Sequence, residues 1–199
     1  FTPDLGFIIG TSGSSRPKMF KDYIEKIFVE RDSNNQGAAP LPDMANVWIA
    51  DETFAYNFIA GPNPNQLQRY SEANRPADFK LSQLDLGSLP EFAGDNLQSA
   101  IRSGRVYFLD RSDMKQVFAD LPGAPAPNAC PRVFQGLTSG DWKYIYAPYA
   151  AFAVQKNTGR LLPIAIQCGP SADGHRLYTP KDENAWLMAR FCVLAAHNN

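Results

Sequence analysis

Residues that commonly carry metal and redox chemistry are scarce in this 199-residue sequence. It contains two histidines and three cysteines, and its 19 basic and 20 acidic residues leave a net charge of −1. Such a balance provides no broad basic surface for nucleic acid. Cys130, Cys168 and Cys192 are odd in number and widely spaced, which excludes a disulfide framework and a zinc motif. Because Cys168 and Cys192 lie in apolar stretches, we expect both to be buried thiols.

Motifs for membrane crossing, phosphate binding and nucleophilic catalysis are also missing. No apolar stretch approaches the roughly 20 residues of a membrane span. The stretch GTSGSS at Gly10 lacks the lysine of a phosphate-binding loop, and GLTSGDW at Gly136 lacks the glycines that flank a nucleophilic serine. His175 is expected to be a solvated loop residue, and no second donor lies one helical turn from His197. The residues alone therefore give no complete active site.

The sequence is nevertheless rich enough in apolar residues to form a folded core. It is 44% hydrophobic and 12% aromatic, which is typical of a globular domain. Apolar residues at helical spacing predict helices over 18–31 and 51–61, the second ending at Gly61-Pro62. In the second helix Phe54, Phe58 and Ile59 are expected to share the buried face.

A small sheet is predicted over residues 106–168. Val106–Asp110 (VYFLD) has the composition of a short buried strand, and two longer β-prone runs flank the turn sequence KNTGR. Gly159 in that sequence suits a tight turn with positive φ. Pro148 and Pro163 are awkward inside a central strand, so we expect an edge, a bulge or a strand start at each.

The last helix is predicted over 180–199. Thr179 is a candidate N-cap, Pro180 fits the first helical position, and Asp182 stands three residues after the cap. Apolar or small side chains occupy every face of this helix, which is typical of the interior of a large protein. We therefore expect a buried helix that needs more packing partners than the preceding residues supply.

Three stretches resemble the lipoxygenase family, and its bacterial members most. They are DETFAYNFIAGPNP (Asp51–Pro64), YAPYAAFAVQKNTGRLLPIAIQCG (Tyr146–Gly169) and TPKDENAWLMARFCVLAAHNN (Thr179–Asn199), and they occur in the same order in that family. The lysine usual in the last stretch is Arg190 here, which keeps the charge. The resemblance implies that residues 1–199 are the N-terminal part of one large helical lipoxygenase catalytic domain. Its fold class would be α+β, mainly helical with a small antiparallel sheet.

The resemblance also implies an activity. Lipoxygenases are non-haem iron dioxygenases that abstract hydrogen from a pentadiene unit of a polyunsaturated fatty acid and add O2 to give a hydroperoxide, and manganese is an alternative metal. The implied partners are the remainder of the catalytic domain, the fatty acid and O2. Nucleic acid is not implied, and peripheral membrane contact is compatible with such a substrate. The sequence does not indicate a cellular location.

The family's metal ligands are not expected within this chain. By family spacing, the first two iron-binding histidines would lie roughly two helical turns beyond Asn199, and the remaining ligands later still. No catalytic residue is therefore expected here, and His197 stands where the family usually has an acidic residue. Asn198 stands where the family places a residue near the floor of the substrate pocket, and Asn199 matches an asparagine often seen in bacterial members. These two are the candidate pocket residues; the alternative is that they are ordinary polar residues on a helix.

A second hypothesis belongs to a different class. The lack of metal ligands and the abundance of aromatic residues would also suit a non-catalytic lipid-binding or assembly piece on a lipoxygenase-like scaffold. Saturable fatty-acid binding without a metal would distinguish this hypothesis from the enzyme.

Overall fold

The computed structural model describes residues 47–117, 129–131, 142–144 and 146–197. Contacts divide the chain into two compact units, Phe1–Val47 with Pro131–Asp141 and Trp48–Cys130 with Trp142–Asn199. Nearly all of the described residues belong to the second unit. The helix predicted over 18–31 and the candidate pocket residues Asn198 and Asn199 lie outside the described residues.

A five-stranded antiparallel sheet forms the centre of the second unit. It consists of β1 Gln68–Arg69, β2 Val106–Asp110, β5 Tyr149–Val154, β6 Leu161–Gln167 and β7 Leu177–Tyr178. These strands lie side by side in that order, and every neighbouring pair is antiparallel. Strands β3 (Ala129–Pro131) and β4 (Trp142–Tyr144) form a separate two-stranded sheet.

Four α-helices accompany these strands in the described part of the chain. They are α1 Asp51–Ala60, α2 Leu97–Arg102, α3 Met114–Val117 and α4 Asn184–His197. Short 3-10 turns connect them, most of them between residues 64 and 92. None of the described helices combines the length and apolarity needed to cross a membrane.

The central strand β5 consists of apolar and aromatic residues because both faces of the sheet are covered. All residues of β5 except Val154 are buried, and such continuous apolar runs are typical of strands covered on two sides. On one face lie Val106, Phe108, Ala151 and Ala153, under apolar residues of the 70–100 segment. That segment has little regular structure, and its contribution is a set of buried side chains: Tyr70, Phe79, Leu81, Leu84, Leu86, Leu89, Phe92 and Leu97.

The opposite face of the sheet is covered by helices α1 and α4. Phe152 of β5 stacks on Phe54 with ring centroids 5.9 Å apart and lies 5.1 Å from Phe58. Trp186, Ala189 and Val193 of α4 belong to the same cluster, and the small Ala189 lets the helix approach the sheet closely. The residues that the sheet contributes to this cluster are Leu109, Ala150, Phe152 and Ile166. Both helices are thereby fixed against the centre of the sheet.

The two awkward prolines are placed as the sequence predicts. Pro148 directly precedes β5. Phe152 pairs with Pro163 but Ala151 pairs with Ala165, so Ile164 is the extra residue of a β-bulge. The bulge lets Ile164 and Ala165 both face the core that the sheet forms with the 70–100 segment. In an unbroken strand, two successive side chains would point to opposite faces of the sheet.

The β5–β6 hairpin is confirmed. The strands end at Val154 and resume at Leu161, and Gly159 has the φ of +70° that favours glycine in the connecting turn. The backbone N–H of Gly159 donates to the carbonyl of Gln155 at 3.1 Å. This turn fixes the register of the most buried strand pair.

The final helix begins later than the sequence predicts. Thr179 and Asp182 do form a reciprocal capping box, but it closes a 3-10 turn over Pro180–Asp182. Glu183 then takes a φ of +48°, which ends the turn, and α4 starts at Asn184. The chain changes direction at Glu183, so the cap and the long helix are separate elements.

Two expectations about burial are corrected by the structure. Ile59 does not share the buried face of α1 with Phe54 and Phe58, because it is 54% exposed. Helix α4 is buried along one side only, since Met188 is 61% and Phe191 40% exposed. In the described residues the sheet is as prominent as the helices, so the α+β class and the small antiparallel sheet hold, but a mainly helical fold is not confirmed.

Candidate functional site

The junction between α1 and α4 is built around one buried cation. Arg190 of α4 is 5% exposed, and its guanidinium donates to the carboxylate of Asp51 at 3.1 Å. It also donates to the backbone carbonyls of Trp48, Ile49 and Ala50, which precede α1. Its Cζ lies 5.0 Å from the centroid of the Phe54 ring. One planar side chain thus ties the middle of α4 to the start of α1.

Asp51 receives a second donor from the same helix. The indole Nε1 of Trp186 donates to Asp51 Oδ1 at 3.0 Å, so Trp186 and Arg190, one turn apart on α4, share one carboxylate oxygen. Burial raises the pKa of Asp51, although Trp186 and Arg190 both favour its ionised form. Burial likewise lowers the pKa of Arg190, and Asp51 opposes that shift. Each charge is therefore retained in a partly desolvated site because its partner is present.

The other end of α4 is fixed at His197. The side chain is fully buried, its ring lies 4.6 Å from the Phe58 ring, and its carbonyl accepts a hydrogen bond from Asn63 Nδ2 at 2.8 Å. Among the described residues neither ring nitrogen has a hydrogen-bond partner. Burial, reinforced by the charge of Arg111, lowers the pKa of His197 and favours a neutral ring.

Gln167 is a further buried polar residue, and sequence reasoning missed it. Its Nε2 donates to the carbonyls of Asp78 and Gly169, both at 2.7 Å, and its Oε1 accepts from the backbone N–H of Lys80 at 3.1 Å. These bonds attach the 78–80 loop to the end of β6. The available signal was a lone glutamine closing an apolar strand.

A cavity of about 300 Å³ opens beside the end of β6. The His175 ring lies over Gly169, where an added Cβ would stand 2.5 Å from its Cδ2, and it makes an edge contact with Tyr146. His175 is therefore half-buried in the cavity wall and not the solvated loop residue that the sequence predicts. Lys115 on the opposite side pairs with Asp173 at 2.8 Å.

The two cysteines expected to be buried lie together at this place. Cys168 follows β6 and is buried, and Cys192 of α4 is half-buried. Both belong to the apolar cluster that α4 forms on the sheet, and both thiols are free. No distant pairing of this kind was expected from their spacing in the sequence.

The described residues do not fit the metal that the family resemblance implies. No group of three or more histidine, cysteine, aspartate or glutamate side chains is placed to hold an ion within residues 47–117, 129–131, 142–144 and 146–197. His197 lies against the ring of Phe58, which supplies no ligand atom of that kind. The described part of the chain is thus a scaffold whose clearest polar sites fasten α4.

Known proteins match this arrangement of α1, sheet and α4. The linoleate 9/13-lipoxygenase of Pseudomonas aeruginosa is 32% identical over 169 residues, which are 82% of this chain and 22% of that protein. The allene oxide synthase-lipoxygenase protein of Plexaura homomalla is 31% identical over 79% of this chain and 15% of its own. A crystallised lipoxygenase variant in complex with arachidonate aligns with a TM-score of 0.60 at 29% identity, over 92% of this chain and 27% of that one. A scan against models of protein families finds no match.

The chain belongs to the lipoxygenase family. It spans about a fifth of the length of the curated relatives that it matches. The resemblance noted in the sequence is therefore confirmed at the level of the family.

Proposed function

We propose that this chain is the N-terminal part of a lipoxygenase catalytic domain that oxygenates polyunsaturated fatty acids. The names of the relatives support the substrate class, since one is a linoleate lipoxygenase and a related structure holds arachidonate. The product would be a fatty-acid hydroperoxide. Residues 1–199 would require the remainder of the domain, on the same or another chain, to complete the site.

The observation that carries this proposal is the fixation of α4. In a lipoxygenase this helix leads to the metal, and here it is held at Arg190 near its middle and at His197 near its end. Packing of Ala189 and Val193 on the sheet restrains it between these points. The role of this chain would be to set the axis of the metal-bearing helix, because small errors of placement cost much of a reaction rate.

The metal and pocket assignments follow from the same proposal. Non-haem iron would be held by residues beyond this chain, and manganese is an alternative because manganese lipoxygenases are among the relatives. Asn198 and Asn199 would lie near the substrate pocket. Peripheral contact with a lipid surface would be compatible with an apolar substrate, and nucleic acid would not be a partner.

The test uses the full-length protein with linoleate in air. We expect conjugated-diene absorbance, oxygen uptake and, by elemental analysis, a bound metal. The diene absorbance and the oxygen uptake should both be lost when a chelator removes that metal. A matched sample given a saturated fatty acid of equal length should give neither signal. A full-length protein that holds no metal as purified and yields no diene would overturn the proposal, and saturable fatty-acid binding in that sample would favour the non-catalytic alternative.

A further inference from the structure

Two free cysteines, Cys168 and Cys192, come from different elements of the fold and lie in the same apolar cluster. Cys168 stands at the end of β6, and Cys192 faces it from α4, within the apolar cluster that includes Phe152 and Trp186. The two side chains lie in one packed cluster, and both thiols are free. Free thiols on two packed elements are the precursors that a disulfide between those elements requires.

The pair is accessible from one side. Cys168 lines the cavity of about 300 Å³ with Tyr146, Gly169 and His175. Tyr146 at the cavity mouth is 41% exposed, and Cys192 itself is half-buried. An oxidant can therefore reach Cys168 through the cavity and Cys192 at its partly exposed side without unfolding the core.

The two thiols are not equivalent. The hydrogen bond from the thiol of Cys168, together with a backbone hydrogen bond, lowers the pKa of Cys192. The same thiol contact, with burial, raises the pKa of Cys168. Since the thiolate is the nucleophile, Cys192 is the sulfur that reacts first and Cys168 is the one that resolves.

We propose that Cys168 and Cys192 are a reversible redox pair whose oxidant is a fatty-acid hydroperoxide. The inference rests on the proposed function for the identity of the oxidant, because a hydroperoxide is the product expected there. It assigns to this chain a modification site of its own.

The reaction balances in two steps. The sulfur of Cys192 attacks the terminal oxygen of the hydroperoxide, so that an S–O bond forms, the O–O bond breaks, and the departing alkoxide takes the thiol proton to become the fatty alcohol. The sulfur of Cys168 then attacks the resulting sulfenic acid; an S–S bond forms, the S–O bond breaks, and hydroxide leaves with the proton of Cys168 as water. Two thiols are oxidised to a disulfide and one hydroperoxide is reduced to an alcohol.

The disulfide would fasten α4 to the end of β6. The helix already has anchors at Arg190 and His197, and Cys192 lies between them. A covalent link there would restrict the helix that the proposed function places next to the metal. Accumulated hydroperoxide would thus restrict α4, the helix that positions the reaction centre in the proposed function.

The experiment treats the reduced full-length protein with one equivalent of linoleic acid hydroperoxide and maps the tryptic peptides without reduction. Cleavage after Arg160, Arg176 and Arg190 separates the two cysteines, so the expected product is the Leu161–Arg176 peptide linked to the one that begins at Phe191. Free thiols should fall by two and return with dithiothreitol. Cys130→Ala serves as the matched control and should keep the link, whereas Cys192→Ala should abolish it.

The outcomes separate this inference from the proposed function, because the hydroperoxide is added and no oxygenase activity is needed. The linked peptide in a protein that makes no diene would support the pair and overturn only the proposed function. Absence of the link, or a link to Cys130, would overturn the redox pair. A link formed by hydrogen peroxide but not by the lipid hydroperoxide would overturn the assignment of the oxidant.

Discussion

Asp95 shows how one carboxylate is made strongly acidic. Arg105 binds it bidentately at 2.7 and 3.0 Å, the backbone N–H of Asn96 donates at 2.9 Å, and Lys156 lies 3.2 Å away. Led by the hydrogen bonds from Arg105, these groups lower the pKa of Asp95 from 3.8 to about 2. Its side chain is only 7% exposed, so solvent screens the pair weakly.

We expect this pair to give the protein a specific sensitivity to acid. Because the pKa of Asp95 is lower in the folded protein, the unfolded chain binds the proton first, and stability present above about pH 4 is lost as the pH falls towards 2. The contribution is about 2 kcal/mol. Asp95→Asn should lower the unfolding free energy by that amount at neutral pH. In urea titrations between pH 4 and 2, the unfolding free energy of this variant should depend less on pH than that of the wild type. Asp113→Asn, at a side chain 65% exposed, should stay within about 0.5 kcal/mol of wild type.

His197 should produce a second pH dependence in a different range. Its pKa is lowered from 6.5 by burial and by Arg111, so the unfolded chain binds the proton first, and stability falls as the pH drops below about 6.5. The His197 ring lies against Phe58, and its nitrogens have no hydrogen-bond partner in the described part of the chain, so His197→Leu should remove this fall without a large loss at pH 8. Thermal melts at a series of pH values from 8 to 5 measure this dependence of stability on pH. His175→Gln is the control, and an unchanged pH dependence in His197→Leu would contradict the assignment.

Between elements, Arg190 is the contact on which the placement of α4 depends. Arg190→Met would leave three backbone carbonyls without this donor and Asp51 with Trp186 as its remaining donor, and removing one partner of a buried pair costs about 3 kcal/mol or more. Arg190→Lys should recover part of the loss, since an ammonium keeps the charge but cannot match the planar fork.

Chemical denaturation of the full-length protein tests this expectation. Arg102→Met, at an exposed arginine on α2, should change the unfolding free energy by less than about 0.5 kcal/mol. Equal losses for the methionine and lysine variants at position 190 would show that geometry, and not charge, decides the contact. No loss in either variant would contradict the anchoring role.

Across the whole molecule, apolar side chains on the outer sides of α1 and α4 remain uncovered. Ile59, Met188 and Phe191 are each at least 40% exposed, and Phe191 lies 5.8 Å from the ring of Trp48. Exposed apolar groups on neighbouring helices often mark a packing surface. The proposed function supplies the partner, namely the remainder of the catalytic domain.

Met188→Glu should therefore be costly in the full-length protein. A carboxylate introduced into a covered apolar contact would lower the unfolding free energy by about 2 kcal/mol or more, because the charge must be desolvated or expelled. Lys181→Glu, at an exposed residue of the preceding turn, should cost less than about 0.5 kcal/mol. Equal stability of the two variants would show that Met188 faces solvent and that nothing packs on this side of α4.

Local patterns were sufficient to predict several of the described elements. The β-branched and aromatic runs and the turn glycine at 159 indicated the hairpin, and the two prolines indicated an edge, a bulge or a strand start, because each acts through its own backbone preferences. The capping box at Thr179 was also recognisable, since it needs only residues three apart. The family resemblance followed from the order of such stretches.

Tertiary structure alone decided which sides are buried and which distant groups meet. The exposure of Ile59 and Met188, the break at Glu183 and the contacts of Arg190 with the start of α1 depend on how helices lie on the sheet. Cys168 and Cys192 are likewise brought together only when α4 packs beside β6. Sequence periodicity reports a residue's neighbours within one element, whereas burial and long-range pairing depend on the direction in which two elements pack, and that direction is set by the summed contacts of the whole core.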